Sequence, residues 1–421
     1  MNYDETLHYL YSQLPVFQRI GAAAYKANLD NTYALMDVLN HPEKKFKAVH
    51  IAGTNGKGST AHMLASIYQE AGFKTGLYTS PHLKDFRERI RINGEMVSKE
   101  FVVDFVAKYN NDFKGISPSF FELTMAMAFQ YFTEEKVDIA ILETGLGGRL
   151  DSTNIINPEL SIITNIGKDH MQFLGDNLRQ IAGEKAGIIK SEKPIIIGEK
   201  QQEITAVFEQ KARENNAPLF YAEDRVTLDL IDNSVNIYRI HYKKELLFER
   251  LVFPLRGNYQ IKNLKTVIAA ALHLKLPKNA IKSGIENTLK NTHFTGRWQT
   301  LSLNPLTICD TAHNEDGIRY VVDQLEQTPY NRLHFVLGVV NDKDIGNILA
   351  LLPKEALYYF CKADIPRGLE TDILQEKAQK FGLKGKSYSS VIAARNAAQK
   401  SAAKDDLVFV GGSTFTVAEV V

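Results

Sequence analysis

Residues 49–60, with the sequence VHIAGTNGKGST, constrain the fold of this chain more than any other stretch. An apolar, β-favouring segment leads into Gly53, Gly56 and Gly58, and apolar residues then recur at helical spacing. This pattern predicts a strand, a glycine loop and a helix. Glycines let backbone N–H groups close around an anion, while the helix N-terminus and Lys57 add positive charge. The stretch therefore predicts a phosphate-binding loop.

The loop departs from the common phosphate-loop pattern G-x-x-x-x-G-K-[ST]. Ile51 stands where that pattern has its first glycine, and Gly58 stands where it has a hydroxyl residue. A glycine-rich turn without a ligand is the alternative, but the glycines, the lysine and two following hydroxyls together favour a nucleotide-phosphate site. The predicted contacts are Gly53, Thr54, Asn55, Gly56, Lys57, Gly58, Ser59 and Thr60.

Length and composition limit the class of protein. A chain of 421 residues is too long for one ordinary core, so two domains are expected. The 50 basic and 49 acidic residues give no electrostatic reason to expect nucleic acid or a membrane surface as partner. No stretch is apolar for long enough to span a bilayer, and the start carries no signal peptide pattern. Cys309 and Cys361, in apolar runs, fit buried thiols of a reduced cytosol. We expect a cytoplasmic α/β protein.

Two strand ends in the first half are candidates for a metal site. Ser80 follows the predicted strand 75–78, and Glu143 ends the buried strand 137–142. A hydroxyl and a carboxylate beside a phosphate loop suit Mg²⁺. The alternatives are an ordinary turn and a solvated glutamate.

Further polar residues follow these strands. Arg149, Asp151 and Asn154 lie in a polar loop that suits substrate contact better than a core. His170 follows the strand 160–165, at the edge where open α/β sheets bind ligands, although a lone histidine is usually structural. Lys185 lies in a helical segment and, without context, is an ordinary surface lysine.

The pattern changes after residue 225. Alternating segments at 226–231, 235–241 and 246–255 predict an antiparallel meander appended to the sheet. β/α alternation then restarts as a Rossmann-like module, which gives domains 1–296 and 297–421. Asp310, His313 and Ser413 follow strands of this module, and the alternative is a capped turn at each place.

These motifs, in this order, resemble the Mur ligase superfamily and closely match its folylpolyglutamate synthase and dihydrofolate synthase family. The resemblance covers nearly the whole chain. The matching residues are GTNGKGST at 53–60, TSPHL at 79–83, ETGLGGRLD at 143–151, DH at 169–170, EKAGI at 184–188, GNYQ at 257–260, TGR at 295–297, DTAHN at 310–314 and GGS at 411–413.

The resemblance implies a fold and a set of residue roles. The fold is an ATP-binding domain with a mostly parallel sheet, followed by a smaller Rossmann-like α/β domain. Lys57 and the loop would hold the ATP phosphates. Three side chains would bind two Mg²⁺ ions. Lys185 would be carbamylated by CO₂. The implied metal ligands are Ser80, Glu143 and His170; the further nucleotide contacts are Asn258, Arg297 and Asp310; the substrate contacts are Phe121, Arg149, Asp151, Asn154, His313 and Ser413; and the catalytic residues are Lys57, His170, Lys185, Asp310 and His313.

The reaction implied by the resemblance is ATP-dependent amide formation. A carboxylate of dihydropteroate or a reduced folate would become an acyl phosphate, and the amine of L-glutamate would displace the phosphate. A monomer is expected. The alternatives are a Mur-type cell-wall ligase, a phosphate-loop NTPase that forms no covalent product, and a small-molecule kinase.

Overall fold

The computed structural model describes residues 1–15, 28–341 and 345–421. Two compact units make up the chain: unit 1 contains Met1–Pro254 and Gln260–Phe294, and unit 2 contains Leu255–Tyr259 and Thr295–Val421. The sequence division at residue 296 did not include the short segment Leu255–Tyr259, which packs with unit 2.

Unit 1 is built on an eight-stranded sheet with the order β4-β3-β2-β5-β1-β6-β7-β8. Its strands are β1 (Lys47–Ala52), β2 (Thr75–Tyr78), β3 (Ile90–Ile92), β4 (Glu95–Met96), β5 (Ile139–Glu143), β6 (Leu160–Ile163), β7 (Ile195–Ile197) and β8 (Leu219–Tyr221). β3 pairs antiparallel with β2 and β4, and the remaining pairs are parallel. Parallel strands end at one edge, so the residues after β2, β5, β1 and β6 come side by side.

Helices cover this sheet. They are α1 (Tyr3–Gln13), α2 (Asp30–Val38), α3 (Lys57–Glu70), α4 (Lys99–Phe113), α5 (Phe120–Glu134), α6 (Met171–Leu174), α7 (Leu178–Ala186), α8 (Thr205–Glu214), α9 (Gln260–His273), α10 (Lys278–Glu286) and α11 (Thr288–Thr292), with single 3₁₀ turns at Pro42–Lys44, Phe86–Arg89 and Ser152–Ile155. Helix α5 is strongly apolar and begins with a capping box between Ser119 and Glu122. Its apolar residues pack into the core on one side of the sheet.

The predicted antiparallel meander is confirmed as β9 (Val226–Asp232), β10 (Ile237–Tyr242) and β11 (Glu245–Val252). It forms a three-stranded sheet of its own instead of extending the large sheet as we expected. β10 has two buried residues, Ile237 and Ile240, and the residues between and after them are partly exposed.

Unit 2 contains a six-stranded sheet with the order β12-β13-β17-β14-β15-β16, parallel except at β12. Its strands are β12 (Gln299–Leu303), β13 (Leu306–Cys309), β14 (Leu333–Leu337), β15 (Leu357–Phe360), β16 (Lys384–Ser387) and β17 (Leu407–Gly411). Its helices are α12 (Glu315–Glu326), α13 (Gly346–Leu351), α14 (Thr371–Gln379), α15 (Val391–Ser401) and α16 (Thr414–Ala418). The Rossmann-like module predicted from β/α alternation is confirmed.

Two expectations from composition can be compared with the structure. Cys309 and Cys361 are both buried free thiols, as predicted. Within the described ranges, no helix is long and apolar enough to cross a membrane.

Candidate functional site

The glycine loop joins β1 to α3, and close packing explains its glycines. Gly53 has a φ of +147°, and a Cβ there would lie 1.8 Å from the Thr164 hydroxyl oxygen. At Gly56, where φ is +86°, a Cβ would lie 2.1 Å from the Asn263 side-chain oxygen. A side chain at either position would therefore displace the neighbour that fixes the loop.

Hydrogen bonds from other elements hold the loop in place. The Thr164 hydroxyl donates to the Asn55 carbonyl at 2.6 Å, and Asn165 accepts from the Asn55 N–H at 2.9 Å. From α9, the Gln260 amide donates to the Ser59 hydroxyl at 3.1 Å. Gln260 therefore supports the loop.

Two lysines converge on one carbonyl of the loop. Lys57 Nζ donates to the Gly53 and Thr54 carbonyls at 3.1 and 3.2 Å, and Lys185 Nζ donates to the Gly53 carbonyl at 2.8 Å. Lys185 is buried, and this burial together with the charge of Lys57 lowers its pKa to about 7. The lysine that looked like a surface residue in sequence is therefore a buried amine, a large share of it neutral at physiological pH.

Glu143 lies next to the loop, at the end of β5. It is 5% exposed, and its Oε2 accepts from the Ser80 backbone N–H at 3.1 Å. A Cβ at Gly58 would lie 3.7 Å from the same Oε2. The structure thus brings together Gly58 in the first turn of α3, Ser80 after β2 and Glu143 at the end of β5. Carboxylate and hydroxyl oxygens are ligands that Mg²⁺ prefers, so these residues fit a magnesium site.

His170 precedes α6 with a left-handed backbone, and its Nε2 lies 3.8 Å from Asp169 Oδ1. In the part of the chain that the structure describes, no group of three or more His, Cys, Asp or Glu side chains is arranged to hold a metal ion. A bound Mg²⁺ would therefore depend on hydroxyl, phosphate or water oxygens besides Glu143.

The loop after Glu143 is braced from within. Asp151 Oδ2 accepts from the Gly145 and Leu146 N–H groups at 2.8 Å, and Oδ1 accepts from the N–H and hydroxyl of Thr153 at 3.0 and 2.5 Å. Burial raises the pKa of Asp151. The sequence suggested a substrate-contacting side chain, but in the structure this carboxylate shapes the loop.

Two other predicted substrate residues of this loop also make internal contacts. Asn154 Nδ2 donates to the Arg149 and Gly187 carbonyls at 3.1 and 3.0 Å, and the Arg149 guanidinium pairs with Glu184 at 2.9 Å. Phe121 packs so closely that a Cβ at Gly145 would lie 2.4 Å from its ring. Phe121 therefore borders the same loop, and Arg149 is the more exposed of the polar pair.

Sequence reasoning did not single out Arg89 and Tyr78. Arg89 is 4% exposed and donates from Nε to His82 Nδ1 at 2.7 Å, while Tyr78 ends β2 and is fully buried. The signal available was a basic residue shortly after the TSPHL motif. A short 3₁₀ turn and a reversal into β3 bring it back beside β2, which sequence spacing alone does not reveal.

In unit 2, Asp310 follows β13 and is 3% exposed. Its Oδ2 accepts from the Tyr259 hydroxyl at 2.5 Å and the Trp298 N–H at 2.8 Å, and its Oδ1 accepts from the Ala312 N–H at 2.8 Å. Burial raises the pKa of Asp310, whereas these hydrogen bonds and the nearby Arg297 lower it. The carboxylate holds the start of the polar turn in place.

Other predicted residues of unit 2 lie around this turn. Arg297 donates to the Thr311 hydroxyl, and His313 Nδ1 lies 3.0 Å from the Thr311 carbonyl oxygen. Asn258 instead contacts α12: its N–H donates to Gln324 Oε1 and its Nδ2 donates to Gln327 Oε1.

Ser413 caps α16. Its hydroxyl accepts from the Thr416 N–H at 3.0 Å and lies 2.8 Å from the Thr416 hydroxyl, which itself donates to the Gly338 carbonyl. Because Thr416 uses its proton on Gly338, Ser413 is the donor between the two hydroxyls. The structure thus brings together Arg297, Asp310 and His313, and places Ser413 after the neighbouring strand β17.

Comparison with protein families matches residues 51–271 to the Mur ligase middle domain and residues 296–414 to the Mur ligase glutamate ligase domain. A Bacillus subtilis protein named dihydrofolate synthase/folylpolyglutamate synthase is 34% identical over 94% of each chain. A Haloferax volcanii protein named as a probable bifunctional folylpolyglutamate synthase/dihydropteroate synthase is 32% identical over the whole of this chain, which spans 50% of that relative.

Solved structures agree with these matches. Escherichia coli FolC in complex with DHPP and ADP superimposes with a TM-score of 0.87 and 32% identity, covering 100% of this chain and 97% of that one. A Yersinia pestis bifunctional folylpolyglutamate synthase/dihydrofolate synthase complexed with AMPPNP and Mn ion gives a TM-score of 0.85 and 31% identity, covering 100% and 97%. Both similar proteins were thus captured with nucleotides, and the second also with a divalent metal.

Proposed function

The chain belongs to the Mur ligase family, among the folylpolyglutamate synthase/dihydrofolate synthase proteins, and we propose that it uses ATP to join L-glutamate to dihydropteroate or a reduced folate. The observation that carries this proposal is the convergence of Lys57 and Lys185 on the Gly53 carbonyl, beside Glu143. A phosphate loop and a strand-end carboxylate are what phosphoryl transfer to a carboxylate requires.

The chemistry has two steps. The acceptor carboxylate attacks the γ-phosphorus of ATP, which gives an acyl phosphate and ADP. The amine of glutamate then attacks the acyl carbon, and inorganic phosphate leaves as the amide forms. Lys57 would turn from the loop carbonyls to the phosphates, where its charge opposes the negative charge that develops during transfer. The N–H groups of the loop would add to this stabilisation.

Ser80, Glu143 and His170 would hold magnesium, which we propose as two ions. Bound magnesium would neutralise phosphate charge. Glu143 is suited to this role because its carboxylate lies between the loop and the end of β2. The Ser80 N–H orients that carboxylate before any ligand arrives.

Carbamylation of Lys185 is part of the proposal. A neutral amine can attack CO₂ and release a proton, which converts the neutral amine into an anionic carbamate. The lowered pKa of Lys185, about 7, supports this step because a protonated amine has no lone pair to react. Incubation with ¹³C-labelled bicarbonate should give a carbamate carbon resonance that is absent from Lys185→Met.

Roles in unit 2 are proposed from the family resemblance. Asn258, Arg297 and Asp310 would serve the nucleotide, and His313 and Ser413 would serve glutamate. The position of Asp310, Arg297 and His313 around one turn supports this grouping. Action as a monomer in the cytoplasm remains a prediction.

The proposal is tested by phosphate release from ATP and Mg²⁺ with L-glutamate, with dihydropteroate and tetrahydrofolate supplied in separate reactions and product mass recorded. Turnover with both acceptors, each gaining one glutamate, would establish a bifunctional enzyme. Turnover with the folate alone would make it a polyglutamate-extending enzyme. Glutamate-independent hydrolysis would contradict ligation and favour a phosphate-loop NTPase, and turnover with a nucleotide-linked cell-wall precursor would favour a Mur-type ligase of that pathway.

A further inference from the structure

Arg89 is a buried cation beside the end of β2. Its backbone carbonyl accepts from the Thr79 N–H at 3.1 Å, which places it opposite the residue that precedes Ser80. Its guanidinium lies 5.1 Å from the centre of the Phe120 ring. Among the described residues, the bond from Nε to His82 Nδ1 is its one side-chain hydrogen bond. Two nitrogens of the guanidinium therefore remain available to a ligand.

His82 does not neutralise this charge. Its Nδ1 accepts a hydrogen bond from Arg89 Nε–H, so the ring is neutral and carries its own proton on Nε2. The Nε2–H group faces the Tyr11 hydroxyl at 3.2 Å. The histidine thus orients the guanidinium without supplying a negative charge.

Tyr78 provides a second donor at the same place. The side chain is fully buried, and no described residue forms a hydrogen bond with its hydroxyl. Burial raises its pKa, and the Arg89 cation, which lies nearby, lowers it. A buried hydroxyl without a hydrogen-bond partner is destabilising, and a bound hydrogen-bond acceptor would relieve this cost. The carboxylates of Glu143 and Glu88 already act on the Arg89 charge from nearby.

Position next to Glu143 identifies which anion fits. The Ser80 N–H bonds to Glu143, which in turn faces the phosphate loop at Gly58, so Arg89 and Tyr78 lie close to where phosphoryl transfer would occur. The acceptor brings one group of opposite charge to this place, the carboxylate that must be phosphorylated. A guanidinium and a phenol hydroxyl are both donors, as carboxylate recognition requires.

We propose that Arg89 and Tyr78 bind the reacting carboxylate of the acceptor and select acceptors that carry it. This inference rests on the proposed function. A carboxylate held by two donors is fixed in position for attack on ATP, whereas a neutral acceptor would lack the charge-assisted hydrogen bond from the guanidinium.

The test compares an acceptor with its uncharged copy. Binding of dihydropteroate and of its carboxamide analogue is measured by calorimetry without ATP, for wild type, Arg89→Gln and Tyr78→Phe. We expect wild type to prefer the carboxylate by at least about tenfold, since charge-assisted hydrogen bonds are the strong ones. Arg89→Gln should abolish this preference and Tyr78→Phe should reduce it about threefold to fivefold, both with little change for the carboxamide.

Tyr78→Phe protects the test against misfolding. It removes only a hydroxyl that has no described partner, so its melting temperature should equal or exceed that of wild type. Tyr221→Phe is the matched control, because Tyr221 is a buried tyrosine on β8, which four strands separate from β2 in the sheet, and it should leave the preference unchanged.

Two outcomes would overturn the proposal. If wild type glutamylates dihydropteroate but the carboxylate preference survives in both Arg89→Gln and Tyr78→Phe, the acceptor carboxylate binds elsewhere and only this inference fails. If wild type neither binds nor glutamylates either acceptor, the proposed function fails and this inference fails with it.

Discussion

Unit 1 and unit 2 each present a buried acid where a strand of a largely parallel sheet ends, Glu143 in one and Asp310 in the other. The two carboxylates differ in what surrounds them. Asp310 accepts hydrogen bonds on both oxygens from the Tyr259 hydroxyl and from the backbone N–H groups of Trp298 and Ala312. Those donors belong to three separate segments of unit 2, so the acid ties them together.

Glu143 faces a different environment. Its Oε2 accepts a hydrogen bond from the Ser80 N–H. A Cβ at Gly58, at the start of α3, would lie 3.7 Å from the same oxygen. Lys57 adds positive charge to the phosphate loop, and Lys185 donates a hydrogen bond to its Gly53 carbonyl. The two acids thus differ in their surroundings: three protein donors bind the Asp310 carboxylate, whereas the Glu143 carboxylate lies beside the phosphate loop.

The largest effect is expected at Lys57, the charged residue of the phosphate loop in unit 1. Lys57→Ala should lower turnover by about 10³-fold or more, because charge on the transferred phosphoryl group loses its stabilisation. Folding should persist, since Lys185 still donates to the Gly53 carbonyl. Steady-state phosphate release and thermal unfolding measure the two effects. Lys211→Ala, at an exposed ion pair of α8, is the control. Near-normal turnover in Lys57→Ala would refute the phosphate-loop assignment.

Replacing each acid by its amide tests the comparison directly. Glu143→Gln should lower turnover by about 10²-fold or more and change the unfolding free energy by less than about 1 kcal/mol. Asp310→Asn should instead lower the unfolding free energy by about 2–4 kcal/mol, because its new N–H₂ group faces donors that need an acceptor. Urea unfolding and steady-state kinetics on both variants separate these effects. A stable Asp310→Asn variant with a raised ATP KM would show that Asp310 contacts nucleotide directly.

Lys185→Met should have reduced turnover, because it cannot be carbamylated, yet it should be more stable at neutral pH. The folded pKa of about 7 lies below the unfolded value of 10.5, so between these values the unfolded chain holds more protons and wild-type stability rises with pH. The difference corresponds to on the order of 5 kcal/mol, an upper limit for the gain. The gain should be largest at pH 7 and should shrink towards pH 10 in CO₂-free buffer.

Urea unfolding at several pH values measures this dependence. Lys190→Met is a useful contrast, because burial lowers the pKa of Lys190 only to about 8 and its side chain donates to the Asn154 carbonyl at 2.6 Å. Its gain should be smaller. A gain for Lys185→Met that does not vary with pH would contradict the burial of an ionisable amine.

Local signals were enough to predict the architecture. The glycine loop, the strand that ends in Glu143 and the restart of β/α alternation after residue 296 all depend on neighbouring residues, and each was confirmed. The sequence also contains a signal for the hairpin of β3 and β4, because Asn93-Gly94 is a favoured two-residue turn. The edge strand β16, Lys384–Ser387, carries no apolar pattern and could not be predicted in this way.

Side-chain roles depend on partners that are distant in sequence. Asp151 looked like a substrate contact, yet in the structure it accepts hydrogen bonds from its own loop. The contact of Tyr11 with His82 spans 71 residues, and no spacing rule connects them. Sequence therefore located the candidate site, while the division between ligand-facing and supporting residues needed the fold.

The smallest effect is expected at Ser413, and it tests whether unit 2 also has a residue that faces a ligand. Ser413→Ala and Ser390→Ala each remove a helix N-cap, so each should cost about 1 kcal/mol of stability. Because the Ser413 proton is committed to Thr416, the hydroxyl can only accept from glutamate, as it would from an ammonium group. We therefore expect a rise in glutamate KM of about twofold to fivefold in Ser413→Ala alone. Equal glutamate KM values in the two variants would show that Ser413 only caps α16. Ser413, like Asp310, would then hold unit 2 in place without contacting glutamate.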